Sequence, residues 1–377
     1  MLRIKITYLL TVIIAVLLIL IGHNIAVDGL FLLNEASEDI VNAKVQRITE
    51  RIGIDQTLFG EQFPFVHNER ILFEARVTRG PRRGEIITAS QSFSPLLSDR
   101  TREVKAGDDI LLINFNDEWF FNGYLRTGRL LGLGIFFMLC VIFFGGKKGF
   151  NTLLSLALTC AAIFAVFIPS ILSGKNIYVM SILVCAYTIA MTLLIVLGFN
   201  KKALAAAIGC ASGVAVSGII TVIMNRILLL TGLVDEHSRF LANLPINVTI
   251  DLRAIIFAGI IIGAMGAIMD VAMSISSSMW EIREKAGRIK IKALFRSGLN
   301  IGRDIMGSMA NTLILAYIGS SLSVVLIIGV YSDSLFALFN SEMIVVEILQ
   351  ALVGSLGILF AMPLTALICS FLYLKEN

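Results

Sequence analysis

Runs of apolar residues long enough to cross a lipid bilayer recur along this 377-residue chain. A helix needs about 20 such residues to span a hydrocarbon core of ~30 Å. Hydrophobic residues make up 57% of the chain and charged residues only 15%, more apolar surface than a water-soluble fold can bury. The sequence therefore predicts a membrane all-α helical bundle of about eight transmembrane helices. The predicted spans are approximately 6–23, 128–146, 150–172, 177–199, 203–231, 253–281, 302–330 and 343–374.

The first span begins with the charged sequence Leu2-Arg3-Ile4-Lys5, which is typical of a secretory signal. A removable signal peptide would end in a small-x-small cleavage site, and Asn24-Ile25-Ala26-Val27 matches that pattern poorly. We therefore favour an uncleaved anchor helix over residues 1–23, with a cleaved signal peptide as the alternative.

Basic residues mark alternate loops between the spans. Lys147-Lys148, Lys201-Lys202 and the run from Arg283 to Arg303 are basic, whereas the loops between them carry no comparable excess. Because basic loops remain on the cytoplasmic side, this pattern predicts a multi-pass protein of the bacterial plasma membrane with both termini inside. Residues 24–127 would then lie outside.

The outer segment, residues 24–127, carries a β pattern. Apolar and polar residues alternate from Ile71 to Thr78, which predicts a half-buried strand. The turn Gly80–Gly84 would return the chain as a hairpin partner over 85–89, and a later turn leads into a strand at 110–115. These strands predict a small extracytoplasmic β-rich domain, a barrel or a sandwich, inserted after the first helix.

The remaining residues, 128–377, form the predicted seven-helix transmembrane domain, which includes one polar segment. Glu284–Leu299 is too polar to span a membrane and carries its apolar residues on one face. We expect a cytoplasmic amphipathic helix there, lying on the inner leaflet. Anionic lipid is the predicted partner of its basic residues, which are Arg288, Lys290, Lys292 and Arg296.

The sixth span contains one intramembrane carboxylate, Asp270. A charged side chain in lipid costs at least about 2.5 kcal/mol, so it normally faces a protein interior or a watery cavity. Helical steps of three and four residues align Asp270 with small and polar neighbours on one stripe, which makes this stripe the best candidate for a functional surface. This first stripe comprises Gly259, Gly263, Gly266, Asp270, Ser274, Ser277 and Glu281.

A second stripe of polar residues runs along the seventh span. If the two spans pack antiparallel, both stripes lie in the inner half of the bilayer and Asp270 faces the second one. Such a pair could relay a proton or cation, or it could act as a structural clamp made of hydrogen bonds between helices. We favour the clamp for Ser308 and Asn311 and the relay for Asp270. This second stripe comprises Asn300, Asp304, Ser308 and Asn311, with Arg303 beside Asp304.

Small residues also recur at helical spacing in the fifth and eighth spans, where close helix packing is their usual meaning. Glu347 lies near the outer end of the eighth span, where we expect it to snorkel to the interface. The two rows are Gly209, Gly213, Ser217, Thr221 and Asn225, and Glu347, Gln350, Gly354, Gly357, Ala361 and Thr365.

Sequence motifs for catalysis and metal binding are missing. The chain has no nucleotide-binding glycine loop, no His-Glu-x-x-His and no nucleophile elbow, so we predict that it is not an enzyme. Its three histidines are isolated from one another and from the cysteines, so neither a metal nor another cofactor is expected. The net charge of +4 comes mostly from loops next to spans, so no nucleic-acid partner is expected.

Two motifs carry a family resemblance. Gly263–Ile275 (GAMGAIMDVAMSI) followed by Gly302–Leu313 (GRDIMGSMANTL) resembles the YibE/F-like family of bacterial multi-pass membrane proteins. The resemblance implies an N-terminal anchor, a β-rich outer domain and a helical bundle, and implies little about activity. The order of acid-bearing helix, basic amphipathic segment and next span is also similar to resistance-nodulation-division transporters and paired Sec accessory subunits, although this chain has two more spans before the acid.

Two classes of function remain open at this point. The first is a transporter or transport component, alone, as a homo-oligomer or as a paired membrane subunit, with Asp270 as its proton or cation site. The second is a non-transporting membrane scaffold whose outer domain binds a partner. We favour transport, because an ionisable group is a costly way to hold helices together.

Overall fold

The structure, a computed structural model, describes residues 2–27, 40–55, 67–80, 82–93, 102–244, 249–287, 289–331 and 334–374. The chain divides into two compact units. The larger unit comprises Met1–Phe31 and Val141–Asn377, and its described residues are helical apart from short connections. The smaller unit, Leu32–Cys140, holds the strands and the first turns of one long helix.

The described residues of the smaller unit form a closed five-stranded barrel with strand order β1-β2-β3-β5-β4. The long first strand pairs with β2 and, through its first residues, with β4, which closes the barrel. β3 and β5 pair in parallel, and the other neighbours are antiparallel. This is a Greek-key barrel of the OB-fold kind. Its strands are β1 (Ile40–Asp55), β2 (His67–Arg79), β3 (Ile86–Phe93), β4 (Asp109–Phe115) and β5 (Glu118–Tyr124).

Alternate residues of β2 fill the barrel, as the sequence predicted. Phe73 is fully buried, and Val77 is only 1% exposed. The hairpin from β2 to β3 turns at Gly80 and Gly84, whose φ angles of 98° and 94° lie in the left-handed region that favours glycine. The predicted hairpin is therefore confirmed, and of the two predicted architectures the barrel is the one found.

Long helices make up the larger unit. A π-helical turn, Ile163–Phe167, joins the second helix to the third. The helices are α1 (Leu2–Val27), α2 (Thr127–Ala162), α3 (Ile168–Leu172), α4 (Ile177–Leu197), α5 (Lys201–Ile227), α6 (Glu236–Ala242), α7 (Leu252–Ala286), α8 (Ile291–Ser320), α9 (Leu322–Tyr331), α10 (Leu335–Phe339) and α11 (Glu342–Leu374).

Six stretches among the described residues are long and apolar enough to cross a membrane. The predicted spans at 128–146 and 150–172 fall within one of them, which has a non-helical residue at Gly146 (φ 53°, ψ −130°). The predicted span at 302–330 is not among the six, because α8 carries many polar residues and the helix is interrupted at Ser321. The six stretches are Thr7–Val27, Thr127–Leu172, Ile177–Leu197, Lys201–Ile227, Leu252–Ala286 and Glu342–Tyr373.

Gly146 marks a sharp bend in the chain. A Cβ atom on Gly149 would overlap the carbonyl oxygen of Val141. In a continuous α-helix, residues eight apart are about 12 Å from each other along the axis. The chain therefore bends sharply between these two residues, at the place where the sequence predicted a loop between two spans.

Contacts between helices show which helix ends lie together. Tyr8 donates a hydrogen bond to Asn151 (3.0 Å), whose amide donates to the last turn of α4 (3.1 Å). Ser276 donates to the carbonyl of Lys202 (2.8 Å) and is 2.6 Å from the hydroxyl of Tyr373. The starts of α1 and α5 and the ends of α4, α7 and α11 thus share one end of the unit. The basic loops meet there, as alternating spans require, and the cytoplasmic location of this end stays a prediction.

The small residues of α5 and α11 pack these helices closely. A Cβ atom on Gly213 would lie 2.7 Å from the Cβ of Ala361 and 3.0 Å from the carbonyl oxygen of Gly357. Ser217 of α5 donates a hydrogen bond across the contact to the carbonyl of Val353 (3.3 Å). The predicted packing role is therefore confirmed for these residues of the fifth and eighth spans.

α1 packs on the π-helical turn. The Nδ1 atom of His23 is 2.7 Å from the carbonyl oxygen of Ala165. A Cβ atom on Gly22 would lie 3.1 Å from the methyl groups of Val166, so the side chain of Val166 packs closely against the backbone of α1. These contacts help to fix this part of the first helix to the rest of the larger unit.

The predicted separate amphipathic helix at 284–299 is wrong in its bounds. Its first residues end α7, Gly287 follows with a φ of 63°, and α8 begins at Ile291 and continues without interruption to Ser320. Leu294 is fully buried in the bundle core, so the start of α8 packs against other helices. Hydropathy alone cannot distinguish such packing from contact with lipid. Arg288 lies outside the described residues, and the described basic residues Lys290, Lys292 and Arg296 are exposed.

Candidate functional site

The first polar stripe of the sequence lies on α7 and is called the α7 stripe from here on. It is an uncovered strip on an otherwise enclosed helix. α4, α5, α8 and α11 all contact α7, and residues on its other faces, such as Ile268 and Ile275, are fully buried. On the stripe, Gly266 and Asp270 are exposed, whereas Ser274 and Ser277 are partly buried. The carboxylate therefore lies midway along the uncovered strip of α7.

The second polar stripe lies on α8, is called the α8 stripe, and is exposed as well. Asn300, Arg303, Asp304, Ser308 and Asn311 all belong to the exposed face of α8. The hydroxyl of Ser308 donates to the carbonyl of Ile305 within the same helix (3.0 Å). In the described part of the chain, neither a hydrogen bond nor an ion pair joins the two stripes, so the predicted clamp has no partner there.

Contacts of two glycines in α8 show which residues of α8 lie level with which residues of α7. A Cβ atom on Gly302 would lie 3.2 Å from the Cδ1 atom of Ile275, and one on Gly298 would lie 3.0 Å from the Cε atom of Met279. Four residues along one helix correspond to four residues in the opposite direction along the other, so α7 and α8 are antiparallel, as predicted.

This register places the middle of the α8 stripe at the depth of the carboxylate. Asp270 is five residues before Ile275, and Gly307 is five residues after Gly302. Gly307 and its neighbour Ser308 therefore lie at the depth of Asp270. The two stripes therefore lie at the same level, and their location in the inner half of the bilayer stays a prediction.

Two glycines leave space beside the carboxylate. Gly266 lies one turn before Asp270 on α7, and Gly307 lies at its depth on α8. A Cβ atom on either glycine would meet no atom within 4 Å. The positions one turn before the carboxylate on α7 and level with it on α8 therefore lack side chains and face open space.

One residue near the α7 stripe was not identified from the sequence. A Cβ atom on Gly263 would lie 2.9 Å from the hydroxyl oxygen of Tyr317, a residue of α8. The phenol therefore fits against the stripe only because position 263 lacks a side chain. In the sequence Tyr317 falls within an apolar span, and its role as a neighbour of α7 depends on tertiary packing.

Metal-binding side chains do not cluster in the described residues. No three His, Cys, Asp or Glu side chains come together there as a metal ion would require. The carboxylates of Asp270 and Asp304 lie on the exposed faces of two different helices.

Long apolar helices that pack through glycine, alanine and serine, with few ionisable groups inside them, are the construction of an integral membrane protein. The sequence model of the YibE/F-like protein family matches residues 133–375, and the chain belongs to that family. The match begins within α2 and continues through α11, so it excludes α1 and the barrel, which is narrower than the resemblance implied. Neither the curated proteins nor the solved structures gave a match.

Proposed function

We propose that this YibE/F-like protein is a transport component that moves protons or small cations across the membrane, with Asp270 as the ionisable group. One observation carries the proposal, namely that Asp270 lies exposed midway along a helix whose other faces are enclosed. An ionised side chain facing lipid would cost at least about 2.5 kcal/mol. Glycine and serine suffice for packing, so the carboxylate needs a different explanation.

The surroundings of Asp270 suit the binding and release of a cation. Asp270 is exposed, and neither Gly266 on its own helix nor Gly307 at its depth on α8 carries a side chain, so a proton or a hydrated cation can approach the carboxylate. Ser308 offers a hydroxyl at the same depth, and Asp304 and Asn300 of the α8 stripe offer further oxygen atoms nearer the basic end of the unit. In the proposed cycle the ionised carboxylate takes up a cation from one side and releases it to the other.

We further propose that a second copy of the chain covers the α8 stripe in the membrane. Arg303 and Asp304 are adjacent and exposed, and neither has an ion partner among the described residues. Around a two-fold axis normal to the membrane, equivalent residues of two copies lie at the same depth. Each arginine can then pair with the aspartate of the other copy, so the stripe is complementary to itself.

Anionic lipid remains the proposed partner at the start of α8. The exposed bases Lys290, Lys292 and Arg296 lie at the end of the unit where the basic loops meet. Each base near an anionic surface contributes about 1 kcal/mol of attraction. These residues would hold the α8 start at the membrane surface while its buried face packs on the bundle.

Flux measurements on the full-length protein in liposomes test the proposed function. With an imposed membrane potential, the wild-type protein is expected to carry protons, sodium or potassium, each followed by its own internal dye. The variant Asp270→Asn keeps the side-chain size but cannot ionise, and it is expected to abolish the flux. Glu236→Gln, which removes an exposed charge from α6, is the matched control and is expected to leave the flux unchanged. The proposal fails if the wild-type protein carries none of these cations or if Asp270→Asn transports normally.

A further inference from the structure

A line of polar groups continues from Asp270 toward the end of the larger unit that lies opposite the basic loops. Gly263 lies seven residues, or about 10 Å, from Asp270 along α7. The hydroxyl of Tyr317 lies against this glycine. That hydroxyl has no hydrogen-bond partner within the described part of the chain, so it is available to water or to a passing cation.

α11 supplies the next polar group along α7. A Cβ atom on Gly259 would have the side-chain nitrogen of Gln350 as its nearest neighbour, at 3.9 Å. Gln350 is partly buried, and Gly259 is exposed on the α7 stripe. The amide therefore extends the line by a further turn of α7.

A contact at Gly354, one turn after Gln350, shows which way the side of α11 that carries Gln350 faces. A Cβ atom on Gly354 would lie 3.5 Å from the Cβ of Ala264 on α7 and 2.7 Å from Leu313 on α8. Glu347 and Gln350 precede Gly354 by seven and four residues, so all three share one side of α11. This side faces the groove between α7 and α8.

Glu347 ends the line near the start of α11. It is partly buried and close enough to Tyr317 to act on it electrostatically. Ile348, the next residue along the chain, is 40% exposed on a different face of α11. Glu347 thus lies beside the groove, which differs from the expectation that it only snorkels to the interface.

We propose that Glu347, Gln350 and Tyr317 form the outer half of the cation path that reaches Asp270. Glu347 binds the cation at the outer end, Gln350 and the Tyr317 hydroxyl hold water along the groove, and Asp270 receives the cation about 16 Å further along α7 from Gly259. For a proton, Glu347 is protonated from the outer water and returns to its carboxylate when the proton moves on. This assignment rests on the proposed function and adds a second ionisable group to it.

Cysteine accessibility tests the path without depending on transport. Cys140 and Cys160 are replaced by alanine, whereas Cys185, Cys210 and Cys369 are buried and can stay. Gln350→Cys should react readily with a small charged thiol reagent that reaches it through water. The matched control Ile348→Cys should react slower by about tenfold or more, because an apolar environment disfavours the reactive thiolate. Equal rates for the two variants, or a slower rate at position 350, would overturn the path even if Asp270→Asn abolishes flux.

Flux measurements then test the role of the carboxylate. Glu347→Gln and Tyr317→Phe should each slow cation flux by about tenfold, the effect of losing one hydrogen bond to a charged group. Glu347→Asp keeps a carboxylate and should recover part of the rate that Glu347→Gln loses. A merely structural role of Glu347 would not predict this recovery. Normal flux in Glu347→Gln would refute the assignment while the proposed role of Asp270 stands. A wild-type protein without any cation flux would refute both, and the labelling would then show only whether the groove holds water.

Discussion

The contact between α5 and α11 predicts that a methyl group added at Gly357 will be tolerated only if space is made for it. A Cβ atom on Gly357 would overlap the hydroxyl of Ser217 and lie 2.7 Å from the Cδ1 atom of Ile268. Ser217 and Ile268 are both fully buried, so neither side chain can move into solvent. The substitution Gly357→Ala should therefore strain the contact, and Ser217→Ala should relieve part of that strain.

The size of the effect follows from three terms. Overpacking of a well-packed site costs about 1–3 kcal/mol. Alanine has a higher helix propensity than glycine by about 1 kcal/mol, which offsets part of this loss. Removing the Ser217 hydroxyl also removes its hydrogen bond to Val353, which contributes about 0.6 kcal/mol in a membrane helix pair.

A double-mutant cycle separates the strain from the other two terms. The gain in helix propensity at position 357 is present in both the single and the double variant, and so is the lost hydrogen bond at position 217. Both terms therefore cancel in the coupling free energy. What remains is the overlap of the methyl group with the hydroxyl, which we expect to give a favourable coupling of about 1–2 kcal/mol. Since 1.4 kcal/mol is a tenfold change in an equilibrium constant, this value is measurable.

Unfolding of the full-length protein by SDS in mixed micelles, followed by far-UV circular dichroism, would give the four free energies of unfolding. Gly266→Ala is the matched control, because its Cβ atom would meet no atom within 4 Å. It should show no coupling to Ser217→Ala. If Gly357→Ala and Ser217→Ala are instead additive within about 0.5 kcal/mol, the two helices do not cross at these residues and the packing argument is refuted.

Three further predictions concern topology, assembly and the barrel. Single cysteines at Arg83 and His237 should react with an impermeant reagent from outside intact cells, whereas one at Lys290 should react only after the membrane is opened. Labelling of the cysteine at position 290 in intact cells would show that the predicted topology is wrong. A cysteine at Asn311, in the middle of the exposed α8 stripe, should form a disulfide-linked dimer under mild oxidation, and a chain that stays monomeric would contradict the proposed second copy. Burial raises the pKa of Tyr124, so the barrel should lose stability as pH rises above the ordinary tyrosine pKa of about 10. Tyr124→Phe should remove this loss of stability at alkaline pH, as measured by thermal melts. If the variant keeps the pH profile of the wild-type protein, another group causes the loss.

Local sequence patterns predicted the barrel well because its determinants are local. The alternation through Phe73 fixes which side of β2 faces inward, and Gly80 and Gly84 supply backbone conformations that other residues rarely adopt. Basic residues likewise predicted which helix ends lie together. The order in which β3, β5 and β4 pair could not be predicted, because it depends on contacts between distant parts of the chain.

The candidate site was predicted only in part, for the same reason. Helical spacing aligned Asp270 with its glycines, since residues three and four apart on a helix share a face. Spacing within one helix cannot show which neighbour covers that face. Tyr317, Gln350 and Glu347 approach the α7 stripe from two other helices, so only the tertiary structure connects them with it. The uncovered state of both stripes is also a property of packing that composition does not reveal.

The contacts that fix α1 depend on the number of residues in the π-helical turn at Ile163–Phe167. A π turn holds one residue more than the α turn it replaces. Deleting one residue there would restore an ordinary helix and rotate the following residues by about 100° relative to those before them. Val166 and the carbonyl of Ala165 would then no longer meet Gly22 and His23 of α1. Any relative without this one-residue insertion must therefore anchor its first helix through different contacts.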